Sequence, residues 1–169
     1  MKTVIQTTLV LLVSLLIGSV SASDIKVGVV YDMGGKFDKS FNEGVYNGAK
    51  RFSDETGISL MEFEVTNETQ REQGIRKMAQ RGANIVVCVG FAQADACDKV
   101  AKEFPDTSFS IIDVGWLDNP NMRQYVFKEH EGSYLVGALA AMASKTGKIG
   151  FVGGMDIPLI SKFECGYVQ

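Results

Sequence analysis

The sequence predicts an open, mostly parallel α/β sheet with helices on both faces, and three observations carry that reading. Short β-branched apolar runs alternate with segments of helical periodicity from Ile25 to Phe127. The runs Val29-Val30-Tyr31 and Ile85-Val86-Val87-Cys88-Val89 are nearly continuous in apolar residues, as strands covered on both sides require. The resulting order, β-α-β-α-β-α-β-β, joins parallel strands through right-handed crossovers. A chain of 169 residues, 46% hydrophobic and 22% charged, is long enough for one such domain and is neither disordered nor collagen-like in composition.

Residues 1–22 stand apart from this pattern. Lys2, the apolar run Leu9 to Ile17 and the small-residue stretch Val20-Ser21-Ala22 read as a secretory signal cleaved after Ala22. Gln6, Thr7 and Thr8 interrupt the run Val4 to Val20, which falls short of the roughly 20 apolar residues of a membrane span. No cysteine follows the cleavage point to accept a lipid. Loss of Lys2 takes the formal charge from −3 to −4, so no basic footprint for nucleic acid exists.

The elements follow in order. Ile25 to Tyr31 is the first strand. Ser40 to about Asp54 is a helix whose Phe41, Val45, Ala49 and Phe52 share a face, with Ser40 and Glu43 in a capping-box pattern and Gly57 as its stop. Ser59 to Val65 is the second strand; Asn67 with Gln70 opens a second helix, buried through Ile75, Met78 and Ala79 and ended at Gly82. Asn84 to Val89 is a strand, Gln93 to Glu103 a helix closed by Pro105, and Ser108 to Asp113 the fourth strand. A short fifth strand spans Gln124 to Phe127. Gly132 to Ser144 is then a helix rich in small residues, Lys148 to Val152 a further strand, and a last helical pattern starts near Leu159. A β-α unit cut at Gln169 leaves an apolar helix face unpartnered, so the chain is expected to be the N-terminal part of something longer.

Three cysteines, Cys88, Cys97 and Cys165, cannot all pair within the chain. Cys88 lies in an apolar strand as a small buried hydrophobe would, and an oxidising compartment permits a bridge to Cys97 if the geometry allows. One histidine, His130, and no metal-type Cys/His spacing leave no expectation of a metal.

Ligands of open parallel sheets bind beyond the carboxyl ends of the strands. Those ends carry Asp32, Gly34, Gly35, Phe37, Asp38, Ser40, Phe41 and Asn42 after the first strand, Gly90 and Phe91 after the third, and Asp113, Gly115 and Trp116 after the fourth. No G-x-G-x-x-G or G-K-[ST] motif occurs there, and Asp32 would repel a pyrophosphate at the helix N-terminus. Carboxylates, amides and rings suit an uncharged, hydroxyl-rich, partly flat ligand. Each residue also has a structural alternative: Phe41 as the first core residue of its helix, Asp32 and Asp38 as turn caps, Asp113 as a turn residue, Trp116 as packing, Lys128 with Glu129 as a solvated pair. His130 reads as a surface or interface residue, because no nucleophile with a supporting acid can be placed beside it.

The segments Asp32-Met33-Gly34-Gly35-Lys36-Phe37-Asp38-Lys39-Ser40-Phe41-Asn42, Gly90-Phe91, Ile111-Ile112-Asp113, Glu131 to Gly137 and Thr146 to Gly154 resemble the basic membrane protein family of substrate-binding proteins, which includes the purine nucleoside receptor lipoproteins. The resemblance runs from about Ile25 to Tyr167. It implies a type I periplasmic-binding-protein fold of two α/β lobes about a hinge, here residues 23–127 and the start of a second lobe at 128–169. It also implies a purine nucleoside ligand, an ABC permease as partner, a periplasmic location, and neither cofactor nor catalysis. Phe41 would stack on the base, Asn42 and Asp32 would hydrogen-bond it, Asp113 would hold ribose hydroxyls, and Gly90 and Phe91 would line the cleft. The competing expectations are a receptor for another cyclic metabolite, such as a sugar or a flavin-like vitamin, and an exported nucleoside-processing enzyme.

Overall fold

The computed structural model describes residues 25–169, so the signal segment lies outside the described residues. Five strands, β1 (Val27–Tyr31), β2 (Leu60–Glu64), β3 (Ile85–Cys88), β4 (Ser108–Ile112) and β5 (Met122–Tyr125), form one sheet in the order β2-β1-β3-β4-β5. All four pairings are parallel. Among the described residues the helices are α1 (Phe41–Thr56), α2 (Gln70–Gln80), α3 (Ala94–Glu103), α4 (Glu129–Ala143) and α5 (Pro158–Val168), with a 3-10 turn at Phe91–Gln93.

The period of two along each strand divides the core between two faces. Val30, Val86, Cys88, Phe109 and Ile111 point to the face covered by α2 and α3, where Ile75, Met78, Cys97 and Val100 are fully buried. Val27, Val29 and Tyr31 point to the other face and meet Val45, Tyr46 and Ala49 of α1. Cys88 of β3 and Cys97 of α3 form a buried disulfide, which answers the question the sequence left open; Cys165 is free and exposed.

Three local expectations are corrected. Ser40 makes no side-chain cap on α1. Asp38 does so instead: its Oδ1 accepts the backbone N–H of Ser40 at 2.8 Å and of Glu43 at 3.1 Å, and its Oδ2 that of Asn42 at 3.1 Å. A carboxylate two residues ahead of the cap reaches three amide donors, where a hydroxyl on the cap residue reaches one. The Gln70 half of the second capping pattern persists but reaches back to Thr66, whose N–H and hydroxyl both donate to Gln70 Oε1, and α2 begins only at Gln70. Residues 148–152 form no strand, because a strand exists only against a neighbour and none of the five described strands pairs with this segment.

Partial burial of the Asp38 carboxyl opposes ionisation, but the backbone N–H groups of Glu43, Ser40 and Asn42 outweigh it and hold the group below the usual carboxylate range. A folded-state pKa below the unfolded value stabilises the protein at neutral pH, and that stability is lost as pH falls through the folded-state value. Asp38→Ala is therefore expected to lower the melting temperature at pH 7 and to converge with wild type on acidification. Circular dichroism melts across a pH series measure this; a gap independent of pH contradicts it.

Beyond β5 the chain builds α4 and α5, which pack against each other at Gly137 and Gly166. A Cβ at either position would strike backbone of Tyr167 or His130, so only glycine allows this crossing. Leu135, Leu139 and Met142 of α4 remain exposed.

Candidate ligand site at the carboxyl edge of the sheet

The strand order places the topological switch at β1 and β3: the chain leaves β1 toward β2 and leaves β3 toward β4, so the two loops part and open a crevice. The β1 loop is fastened on its outer side. Tyr31 Oη donates to Glu62 Oε1 at 2.9 Å, Lys36 Nζ pairs with Glu62 Oε2 at 2.8 Å, and Lys36 N donates to Glu64 Oε2 at 3.0 Å. Burial and the adjacent Glu62 push the Tyr31 phenol far up, so it stays a neutral donor.

Asn42 is buried and holds the inner side of the same loop. Its Oδ1 accepts the Asp32 N–H at 3.2 Å, while its Nδ2 donates to the carbonyls of Asp32 at 3.3 Å and Met33 at 3.4 Å. The amide thus positions Asp32. Arg71, from the first turn of α2, donates its Nε to Asp32 Oδ1 at 3.0 Å, with both side chains largely buried. That pairing occupies one carboxylate oxygen and leaves Oδ2 toward Phe41 and Gly90: a Cβ built on Gly90 would stand 3.8 Å from Asp32 Oδ2 and 3.4 Å from Phe41 Cε1.

Phe41 is not a core residue. Val45 and Ala49 of its stripe pack on the sheet, but the stripe turns away at its start, and Phe41 remains 38% exposed. Gly90 has φ 98° and ψ 153°, a conformation essentially restricted to glycine. Gly90→Ala is expected to cost about 1–3 kcal/mol of stability through backbone strain and to crowd the Phe41 ring. Urea unfolding measures the first effect and ligand titration the second; unchanged values in both contradict the assignment. Phe91, which follows Gly90, is partly buried and packs against the core that α2 and α3 share.

Asp113 follows β4 in a left-handed conformation, φ 64°, which aspartate tolerates better than most residues with a Cβ. Its N–H donates to Tyr125 O at 2.8 Å, so β5 holds it in place. Burial, and next the charge of Glu129, push its carboxyl up, against the opposing pull of Lys162. Asp113, Phe41, Phe127, Glu129 and Phe163 line one crevice of about 470 Å³, within the roughly 300–1,000 Å³ of small-molecule sites. A larger concavity of about 950 Å³ lies between α4 and α5, lined by His130, Lys162 and Cys165 among others, and contains none of the sheet-edge residues.

Two site residues escape sequence reading. Arg71 is 39 positions from Asp32, and no local pattern announces their pairing. Glu129 does not form a solvated pair with Lys128. Lys128 pairs with Glu131 at 2.8 Å, whereas Glu129 turns inward and meets Lys162 at 3.4 Å with its side chain only 6% exposed. Trp116 is 63% exposed and lies outside the packed core.

Residues 25–169 match the family model described as ABC transporter substrate-binding protein, PnrA-like. The ABC transporter nucleoside-binding protein BmpA of Lactococcus lactis is 33% identical over 150 residues, 86% of this chain and 43% of that protein. Basic membrane protein A of Borreliella burgdorferi is 33% identical over 154 residues, 89% and 44% of the two chains. Among solved structures, an ABC transporter solute-binding protein of Aeropyrum pernix K1 superposes with a TM-score of 0.76 at 32% identity, covering 85% of this chain and 42% of that one. One from Conexibacter woesei gives 0.66 at 28% identity, covering 85% and 49%. The chain spans less than half the length of these curated relatives. Its parallel sheet, its switch-point crevice and this match over every described residue agree, and the chain belongs to the Bmp family of PnrA-like ABC transporter substrate-binding proteins.

Proposed function

We propose that the protein is the extracytoplasmic receptor of an ABC importer and that its ligand is a purine nucleoside, without catalysis by the receptor itself. The observation that carries this reading is the half-open Phe41 ring at the switch-point crevice, beside an Asp32 carboxylate with one oxygen free of Arg71. A flat heterocycle stacks on such a ring, and its N–H edge donates to such a carboxylate. Asp113, across the same crevice from Phe41, takes ribose hydroxyls. Asn42 shapes the loop that presents Asp32 to the base. The nucleoside-binding relative of L. lactis supports the same ligand class.

Residues 23–127 form the first lobe in this reading and 128–169 begin the second, with the crossover near Phe127 to Glu131 among the hinge strands. The exposed apolar residues Leu135, Leu139 and Met142 on α4 support a second lobe that continues beyond these elements. Export through the signal at residues 1–22 places the receptor in the periplasm, where it meets the permease. A thermal-shift panel on the full-length protein, comprising purine and pyrimidine nucleosides, free bases, sugars and flavin-like vitamins, tests the reading. Stabilisation by purine nucleosides above the other classes is expected. Stabilisation by sugars or vitamins alone, or release of free base and ribose on incubation, overturns it.

A further inference from the structure

Glu129 opens α4, yet its side chain is almost wholly buried and its Oε1 has no hydrogen-bond partner among the described residues. An unpaired oxygen on a buried carboxylate is expensive, and Lys162 meets only the other oxygen, at 3.4 Å. Glu129 lines the same crevice as Asp113 and Phe41. Lys162, itself 46% exposed, pairs with Glu129 and also pulls on the charge of Asp113. The upward push on Asp113 from Glu129 agrees with their proximity. Phe163 of α5 lines the same crevice.

We propose that Glu129 is a further ligand-binding residue, which together with Asp113 accepts hydrogen bonds from a vicinal diol of the ligand. The inference rests on the nucleoside reading, because the 2′,3′-diol is the part of a nucleoside that offers two adjacent O–H donors to two adjacent acceptors. Phe41 and Asp32 are engaged by the base, which leaves the sugar for the Asp113 and Glu129 side. The same two negative charges disfavour a phosphorylated sugar.

The test is calorimetric titration of the full-length protein with a purine ribonucleoside and its 2′,3′-dideoxy counterpart, in wild type, Glu129→Met and Glu129→Gln. Wild type is expected to prefer the ribonucleoside. Glu129→Met removes the acceptor while keeping the length, and should compress that preference by about tenfold or more, with dideoxynucleoside affinity little changed. Glu129→Gln retains an acceptor oxygen and should restore part of the preference; should the methionine variant not fold, the glutamine variant alone still shows a smaller compression. A ribo-to-dideoxy ratio equal to wild type in the folded variants overturns the assignment of Glu129, even if their melting temperatures shift. A wild type that binds neither nucleoside overturns the nucleoside reading itself and this inference with it.

Discussion

Phe41→Ala is expected to weaken purine nucleoside binding by about 1–3 kcal/mol, the scale of one lost base–aromatic stack, while leaving the fold nearly as stable as before. The two halves of this expectation have separate origins. The ring is 38% exposed and stands outside both buried clusters, so truncation opens no core cavity. Its loss nevertheless removes the flat wall of the crevice next to Gly90 and Asp32. Calorimetry and a thermal melt on the same variant separate the effects. A large fall in melting temperature with unchanged affinity would instead make Phe41 a core residue of α1, the role its position in the Phe41/Val45/Ala49/Phe52 stripe suggests.

Removal of the Cys88–Cys97 disulfide is expected to have a comparable effect on stability rather than on binding. The bridge closes a loop with a sequence separation of 9 and joins β3 to α3 in the buried core. Chain-entropy arguments for a loop of that length give about 2.5 kcal/mol, and the Cys88→Ala/Cys97→Ala variant also loses sulfur packing. Its urea midpoint should fall well below that of the oxidised protein, and the reduced wild type should fall with it. Cys165→Ser, at an exposed free thiol, should leave the midpoint unchanged. A double variant as stable as wild type would contradict the account.

Much of the sheet is legible in the sequence because a parallel strand buried on both faces needs a near-continuous apolar run, as Val27 to Tyr31 has; Ile85 to Cys88 reads the same way, although only its Val86 and Cys88 face is fully buried. Helix ends are also local, which is why Gly57 stops α1 in the left-handed conformation expected of it. What depends on distant partners is not legible. Residues 148–152 have the composition of a strand, but strand formation is a property of a pair, and the pairing strand is not among the five described. The loop after β4 displaces β5 to Met122–Tyr125, two residues earlier than expected, because Gln124 folds back on both the N–H and the carbonyl of Leu117.

The candidate site divides in the same way. Asp32, Phe41, Gly90 and Asp113 are readable because the carboxyl ends of strands are where any such sheet opens. Phe91 follows Gly90 in sequence and opens the 3-10 turn Phe91–Gln93, with its ring partly buried against the core. Arg71 and Glu129 become visible only in three dimensions. Their partners, Asp32 and Lys162, are 39 and 33 residues away.

A crystal structure of the full-length protein with a bound purine nucleoside decides whether this crevice is the ligand site. The base is expected to stack on Phe41, with its polar edge at Asp32 and the ribose hydroxyls at Asp113. A nucleoside bound away from the switch-point crevice, or lying in it with no contact to Phe41, would contradict it.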